Sequence, residues 1–305
     1  MEEALRALLL GLAKNETANG WMKQYGLRFG ADRFVAGETV DEAIAKVRLL
    51  EQSGLLSTLD HLGEFVRDTD EAAVARDHCL AALDAIAAAG LRTTLSVKLT
   101  QLGLDITRDL CEANMRSILD RARTHGNVIH IDMEDFSHCQ PTIDLLRSLS
   151  VDYSNVGGVI QAYLYRSAED VTELAQRGIP LRIVKGAYKE SREVAYPEKS
   201  DVDAQFRRLV EISLRARNYT AIATHDENLI NWARSFVHRQ EIAPDQYEFQ
   251  MLYGIRPALQ QDLARAGYRM RLYVPYGTDW YGYFMRRLAE RPANVAFILR
   301  SLYRG

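Results

Sequence analysis

Short runs of apolar and β-branched residues alternate along most of the chain with longer stretches of helical periodicity. Eight such runs read as strands: TLDHLGE, TTLSVKL, VIHIDME, GGVIQAY, LRIVKG, YTAIATH, YEFQML and RMRLYVPYG. Each is followed by a helical pattern, and their starts lie roughly 30 residues apart, which is the scale of one βα unit. Eight successive units predict a (β/α)8 barrel, a fold that typically needs ~250 residues.

An open, doubly wound sheet is the competing fold for this alternation. Such a sheet commonly carries a G-x-G-x-x-G turn after a strand, and none of the eight runs is followed by one. The segment FVAGE, residues 34–38, is a candidate ninth strand, which leaves the register of the barrel open. We therefore predict an α/β fold built on a (β/α)8, or TIM, barrel.

The first ~55 residues follow a helical pattern instead. A second helix is predicted over residues 41–50, after an N-terminal helix whose apolar stripe holds Leu5, Leu8, Leu9 and Leu12. The chain begins with acidic residues where a secretory signal carries positive charge, so we expect the first helix to belong to the mature protein. We expect one domain overall, with a helical segment over residues 1–55 packed on a catalytic barrel over residues 56–305.

The last predicted helix combines a wide apolar face with two adjacent arginines. The apolar face repeats every four residues, at Trp280, Phe284 and Leu288. Arg286 and Arg287 lie about 100° apart around the helix, so at least one borders the buried side. A guanidinium can bind a carboxylate through two parallel hydrogen bonds, which suits the pair to an acidic substrate. The alternative is an amphipathic helix whose arginines lie in water.

Composition narrows the classes of function. A net charge of −3 and the lack of a clustered basic stripe disfavour nucleic-acid binding. The three cysteines are odd in number and lack metal-ligand spacing, which fits a reducing compartment with free thiols. No apolar run approaches the ~20 residues that a membrane span requires. We expect a cytoplasmic protein, with a peripheral contact at the inner membrane left open.

Polar side chains stand at the predicted C-terminal ends of the strands, where active sites of such barrels gather. They are Asp60, Glu64, Lys98, Asp132, Glu134, Gln161, Lys185, Thr224, His225, Gln250 and Tyr273. A lysine there can form a Schiff base when it is neutral, or can hold a carboxylate or phosphate as a point charge. Asp132 suits a general base, a metal ligand or a hydrogen-bond acceptor. Metal binding is weakly supported, because the histidines form no H-E-x-x-H or H-x-H pattern.

Ten segments in a fixed order add a family resemblance. They are FVAGET, LDHLGE, SVKLTQLG, IDMED, VIQAYLYR, RIVKGAY, ATHDEN, FQMLYG, YVPYGTDW and RRLAERPAN, and together they cover residues 34–294. The set resembles the proline dehydrogenase family, in its compact one-domain bacterial form. The resemblance implies a distorted (β/α)8 barrel whose last helix lies over the barrel mouth. It also implies FAD-dependent oxidation of L-proline to Δ1-pyrroline-5-carboxylate, by hydride transfer to flavin N5, with electrons passed on to a quinone.

The resemblance also implies roles for individual residues on the substrate side. Arg286 and Arg287 match the pair that binds the proline carboxylate, and Lys98 matches the lysine that completes this anion site. Asp132 matches a pocket aspartate that we assign to hydrogen bonding rather than proton abstraction. Glu64 matches an acidic residue that pairs with the first arginine when the site is empty. The residues matching those around the pyrrolidine ring are Leu252, Tyr273 and Tyr283.

On the cofactor side, Arg182 matches an arginine near flavin N5, and Glu290 is expected to border the flavin. Thr224 and His225 match the adenosine-phosphate end of FAD. Other flavin or FAD-backbone contacts are implied at Gln161, Val184, Lys185, Gly186 and Ala187. The chain departs from the pattern at Lys189, where many members carry an aromatic residue.

Two other enzymes on the same fold are the competing readings. A Schiff-base aldolase would use Lys98 or Lys185 covalently and would be colourless. A methylenetetrahydrofolate reductase-like FAD barrel would be yellow and would oxidise NADH. A non-catalytic binding barrel would leave the RRLAE helix without a purpose.

Overall fold

Eight parallel strands close into a barrel in sequence order in the computed structural model, which describes residues 30–63 and 66–290. β8 pairs with β1 to complete the ring, so the sheet of the described chain has no open edge. The strands are β1 (Leu56–His61), β2 (Thr94–Val97), β3 (Ile129–Ile131), β4 (Val156–Gln161), β5 (Leu181–Val184), β6 (Thr220–Ala223), β7 (Tyr247–Leu252) and β8 (Met270–Tyr276). The barrel prediction is confirmed, and the open doubly wound alternative is wrong.

Helices alternate with the strands and, apart from the last, cover the outside of the barrel. They are α1 (Val40–Gln52), α2 (Thr69–Ala88), α3 (Arg108–Thr124), α4 (Phe136–Asp152), α5 (Ser167–Gln176), α6 (Lys199–Arg215), α7 (Glu227–Arg239), α8 (Pro257–Arg265) and α9 (Trp280–Glu290). The predicted helix over 41–50 is α1, which begins with a capping box between Thr39 and Glu42. The predicted N-terminal helix lies outside the described residues, so the two-part division of the chain stays a prediction. Among the described residues, no helix is both long and apolar enough to cross a membrane.

The candidate ninth strand at residues 34–38 is wrong. The segment runs beside the end of β8, where the Ala36 amide donates to the Pro275 carbonyl and the Gly277 amide donates to the Gly37 carbonyl, each at 2.9 Å. It forms no strand because β1 and β8 already pair with each other, which leaves no edge for it to join. Phe34 and Val35 of this segment pack on α9 instead, and Ala36 joins the main core.

The strand alternation sends apolar side chains outward to the helices and polar side chains into the lumen. Outward residues such as Leu59, Ile131 and Ile183 belong to the main apolar core. Bonds between strands that are not neighbours must cross the lumen, as from Arg182 on β5 to Ser96 on β2. The layers that fill such barrels usually hold bulky branched residues. A polar lumen in their place calls for a chemical explanation.

The last helix lies across the C-terminal mouth of the barrel. Its apolar face forms a second cluster with Phe34 and Val35, with Leu62 after β1 and with Ile255 after β7. The Trp280 indole N–H donates to Glu38 at 2.8 Å, which ties the start of α9 to the segment before α1. The predicted position of this helix over the mouth is therefore confirmed.

Candidate active site

A cavity of about 770 Å³ opens at the mouth, between the strand ends and α9. This volume lies within the ~300–1,000 Å³ that is usual for ligand and cofactor sites. Apolar walls come from strand ends on one side, including Val159, Val184 and Met251. Charged and polar groups stand at both ends of the cavity. The space therefore suits a large ligand with a flat apolar part and polar extremities.

Most of the predicted site residues meet in this cavity. Its lining includes, from the predicted substrate set, Lys98, Asp132, Leu252, Tyr273 and Arg287. From the predicted cofactor set it includes Gln161, Arg182, Val184, Lys185, Gly186, Ala187, Thr224 and His225.

The other four predicted residues divide into two described side chains and two that lie outside the description. Of the described side chains, Tyr283 and Arg286 are the predicted ones that do not line it. Tyr283 is buried in the α9 cluster, and the Arg287 guanidinium carbon stands 5.1 Å from the centre of its ring. Glu64 and the Glu290 side chain lie outside the described residues. Their roles stay predictions.

Asp132 is the centre of the charged network at the inner end of the cavity. The Arg182 guanidinium donates to Asp132 Oδ1 at 2.7 Å, and the Tyr273 hydroxyl donates to Oδ2 at 2.6 Å. Arg182 also donates to Ser96 at 2.9 Å and stacks over the Tyr273 ring. Both carboxylate oxygens therefore already accept strong hydrogen bonds. This arrangement favours an orienting acceptor over a general base or a metal ligand.

Tyr273 is held as a proton donor in this network. Burial raises the pKa of its hydroxyl well above the usual value, and the negative charges of Asp132 and Asp60 act in the same direction. The phenol therefore keeps its proton and donates it in the hydrogen bond to Asp132. Its ring remains available as an apolar wall.

Lys98 lies between two carboxylates. Its ammonium donates to Asp60 Oδ1 at 2.9 Å and lies 3.7 Å from Asp132 Oδ2. Two negative charges stabilise the charged ammonium, whereas a Schiff-base lysine must be neutral to attack a carbonyl. This geometry disfavours the aldolase reading for Lys98.

Asp60 was recognised in the sequence only as a polar strand-end residue, and the signal that it faces the lumen is its register opposite Ser96.

Lys185 and Lys199 form a charged cluster at the outer end of the cavity. Lys185 lies 2.5 Å from Asp203 Oδ1 and 2.9 Å from Asp226 Oδ2, and Lys199 bonds to the same two carboxylates. Paired lysines of this kind suit a phosphate-bearing group, but as ammonium ions they are poor imine-forming nucleophiles. The aldolase reading is disfavoured for Lys185 as well.

His225 has a structural task at the same end. Its Nε2 accepts a hydrogen bond from the Leu252 amide at 2.9 Å, and its backbone carbonyl accepts one from Arg256. The ring thereby fixes the end of β7, next to the predicted substrate-contacting Leu252. Sequence gives no signal for this bond, because it joins two strand ends through a side chain.

Replacing Asp226 with asparagine is expected to lower the free energy of unfolding by ~1 kcal/mol at neutral pH. Asparagine keeps the cap on α7, where Asp226 accepts from the Asn228 amide, and removes only the charge. Burial raises the pKa of Asp226, but hydrogen bonds from Lys185 and Lys199 outweigh it and hold the pKa below its usual range.

The folded-state pKa of Asp226 thus lies below the unfolded value of ~3.9, so the ionised group stabilises the fold above that pH and loses this effect as pH falls. The difference between variant and wild type should shrink below pH ~4 in urea unfolding curves. A difference that does not change with pH would contradict this assignment.

Gly186 is required by its backbone. Its φ of +120° is one that other residues rarely adopt, and a Cβ there would lie 2.3 Å from the Tyr163 ring. Strain and overpacking should make Gly186→Ala cost about 2–4 kcal/mol in the free energy of unfolding. Gly178→Ala is the matched control, because Gly178 has φ +71° with open space around it and should cost only ~1 kcal/mol. Equal losses in the free energy of unfolding of the two variants, measured by chemical denaturation, would contradict close packing of Tyr163 on Gly186.

Comparison with known proteins agrees with these features. The family described as proline dehydrogenase matches residues 43–300. Proline dehydrogenase 1 of Bacillus subtilis (strain 168) is 47% identical over 298 residues, which cover 98% of this chain and 99% of the relative. Proline dehydrogenase of Deinococcus radiodurans is 44% identical over 280 residues, which cover 90% of each chain.

A solved structure of proline utilization A from Bdellovibrio bacteriovorus, inactivated by N-propargylglycine, shares the fold. Its TM-score is 0.80 at 27% sequence identity, and the match covers 85% of this chain and 32% of that one. The present chain thus corresponds to about a third of the longer protein. The matched family region, the near full-length relatives and the barrel together show that this chain belongs to the proline dehydrogenase family.

Proposed function

We propose that this protein oxidises L-proline to Δ1-pyrroline-5-carboxylate with FAD as cofactor and a quinone as the final electron acceptor. The observation that carries the proposal is the bonded set of Arg182, Asp132, Tyr273 and Lys98 at the inner end of the cavity, with Arg287 on the helix above it. This set offers cations, a fixed acceptor and an aromatic wall to one small ligand. Proline presents a carboxylate, an amine and an apolar ring.

The residues present fit FAD. Gly186 and Ala187 line the cavity with backbone and one methyl group, and the apolar walls leave room for a flat ring system. Lys185 and Thr224 stand at the outer end, where a pyrophosphate would find an ammonium and a hydroxyl. The chemistry that FAD supplies when bound is acceptance of a hydride from C5 of proline.

On the substrate side, the chain's own residues bind and orient. Arg287 would bind the carboxylate from α9, assisted by Arg286. Leu252 and Tyr273 would enclose the pyrrolidine ring, since both line the cavity. Asp132 is fixed by two donors, so it can accept a hydrogen bond from the substrate amine without moving. Arg182 holds a buried positive charge at the same end, where it would favour negative charge on the reduced ring.

Two features support chemistry in a dry site. The apolar face of α9 packs over the barrel mouth and limits access of water. The lumen beneath is filled by bonded polar groups, such as Thr58 and Ser96, whose hydroxyls lie 3.4 Å apart. Electrostatic interactions are stronger in such surroundings than in water.

The quinone acceptor implies an encounter of the cytoplasmic protein with a membrane surface.

An absorbance spectrum of the purified protein, with and without L-proline under anaerobic conditions, tests the proposal. We expect an oxidised flavin band that L-proline bleaches and that pyrrolidine, which lacks the carboxylate, bleaches far less. A colourless protein with a normal circular dichroism spectrum would overturn the flavin assignment. Bleaching by NADH but not by L-proline would favour a reductase of the methylenetetrahydrofolate type instead.

A further inference from the structure

Asp60 is a buried carboxylate that faces the predicted substrate site without lining the cavity. It is 2% exposed, and its nearest polar partner is the Lys98 ammonium at 2.9 Å. Lys98 in turn stands 3.7 Å from Asp132 and 3.5 Å from the Tyr273 hydroxyl. Asp60 therefore reaches the site mainly through Lys98, and it also interacts with the nearby Tyr273 and Asp132. A carboxylate buried at this depth is costly unless a cation compensates it.

A count of charges shows what this pairing does. Among the described side chains that pair with one another here, Lys98 and Arg182 carry positive charge, and Asp60 and Asp132 carry negative charge. Arg182 bonds to Asp132 directly, which leaves Asp60 as the counter-ion of Lys98. The charges of these four described side chains are thus balanced before any substrate carboxylate enters. The excess positive charge that a carboxylate needs is then on α9.

We infer that Asp60 is a positioning residue. It holds the Lys98 ammonium in place and balances its charge, so that Lys98 donates a hydrogen bond to the substrate without adding net positive charge. Without this anchor, Lys98 is drawn toward Asp132 and competes with Arg182 and Tyr273 for its oxygens. Arg286 and Arg287 then supply the net charge for the substrate, and Lys98 supplies one directed hydrogen bond. The inference rests on the proposed function for its meaning, but its main test does not need proline oxidation.

The neighbours of Asp60 allow the titration of Lys98 to be observed separately. Burial lowers the pKa of His61 to about 4 and raises that of the Cys79 thiol to about 12. Burial also raises the pKa of the Tyr276 and Tyr273 hydroxyls. None of these four neighbours is an amine, so reductive methylation between neutral pH and pH ~11 reports Lys98 and not them.

The experiment is reductive methylation of the folded protein with ¹³C-formaldehyde across that pH range, with Lys98 followed by peptide mass spectrometry. In Asp60→Asn, which keeps shape and acceptor but removes the charge, the labelling midpoint of Lys98 should fall by about 1 unit or more. Asp203→Asn is the matched control: it removes a carboxylate from two other cavity lysines, Lys185 and Lys199, and should leave the Lys98 midpoint unchanged. An unchanged Lys98 midpoint in Asp60→Asn overturns the inference.

A double-mutant cycle gives a second, kinetic test. Asp60→Asn should lower kcat/KM for L-proline by roughly 10-fold or more, the effect of one misplaced charged hydrogen bond. In a Lys98→Met background the same change should have a much smaller further effect, because Asp60 acts mainly through Lys98. Independent losses would overturn the inference. If Asp60→Asn fails to fold, Asp60→Ser serves in both tests.

The two failures can be told apart. Protein that shows the labelling shift but does not oxidise proline would overturn the proposed function and leave the positioning role intact. Protein that oxidises proline but shows no labelling shift at Lys98 would overturn the positioning role and leave the proposed function intact.

Discussion

Replacing Arg182 with methionine is expected to lower the free energy of unfolding by about 3–5 kcal/mol, because it leaves a buried carboxylate without its main partner. Arg182 bonds to Asp132 at 2.7 Å, and their side chains are only 4% and 13% exposed. The hydrogen bond to Ser96 is lost as well. Methionine fills much of the volume, so the loss reports charge and hydrogen bonding more than a cavity. Because Lys98 remains 3.7 Å from Asp132, we expect the lower half of this range.

Urea unfolding of wild type and Arg182→Met measures this loss, with an unchanged slope showing that the unfolded state is unaltered. Arg121→Met is the matched control. Arg121 also pairs with an aspartate, Asp84, but on the surface with both side chains more than 40% exposed. Such a pair contributes ~0–1 kcal/mol. Similar losses in the two variants would mean that the lumen pair is no stronger than a surface one.

The architecture followed from the sequence because each strand has to bury an outer face under a helix. That need gives the recurring apolar runs, and all eight predicted strands are present. The polar strand-end positions followed from the same alternation. The sequence does not predict which lumen side chains bond to each other. Arg182 bonds to Ser96 across the lumen, and Tyr273 bonds to Asp132 in the same way. Those pairings depend on the stagger of the closed barrel and on side-chain rotamers.

The error at the ninth strand has a local cause, and two contacts of the site gave no signal in the sequence. FVAGE has strand propensity, but propensity does not create an edge in a barrel that is already closed. The family resemblance matches His225 to a cofactor contact. It gives no indication of the hydrogen bond that the ring of His225 accepts from the Leu252 amide. No individual role was assigned to Asp60 from the sequence, because its main contact with the site is its hydrogen bond to Lys98.

The arginine pair shows how far helical geometry alone reaches. A 100° offset requires that at least one of Arg286 and Arg287 border the buried side, but it does not say which one. In the structure Arg287 lines the cavity and stacks on Tyr283. The two arginines are therefore not equivalent, although the family resemblance assigns both to the carboxylate.

Arg287→Lys is expected to lower kcat/KM for L-proline by roughly 10- to 150-fold, since a charged hydrogen bond contributes ~1.5–3 kcal/mol and lysine offers a point charge in place of a planar fork. Lysine also loses the flat stacking of the guanidinium on Tyr283. FAD content should stay normal, because the change lies on the substrate side. Steady-state kinetics together with the flavin absorbance ratio measure both effects.

Arg286→Lys is the control within the same helix. Because Arg286 does not line the cavity among the described side chains, its replacement should cost less than that of Arg287. Wild-type kcat/KM in Arg287→Lys would mean that the arginines are a solvated helix face and that the carboxylate clamp is wrong. Loss of FAD along with activity would instead move Arg287 into the cofactor site. Equal losses in the two variants would show that the guanidinium groups act as a pair, with α9 turning so that both reach the substrate.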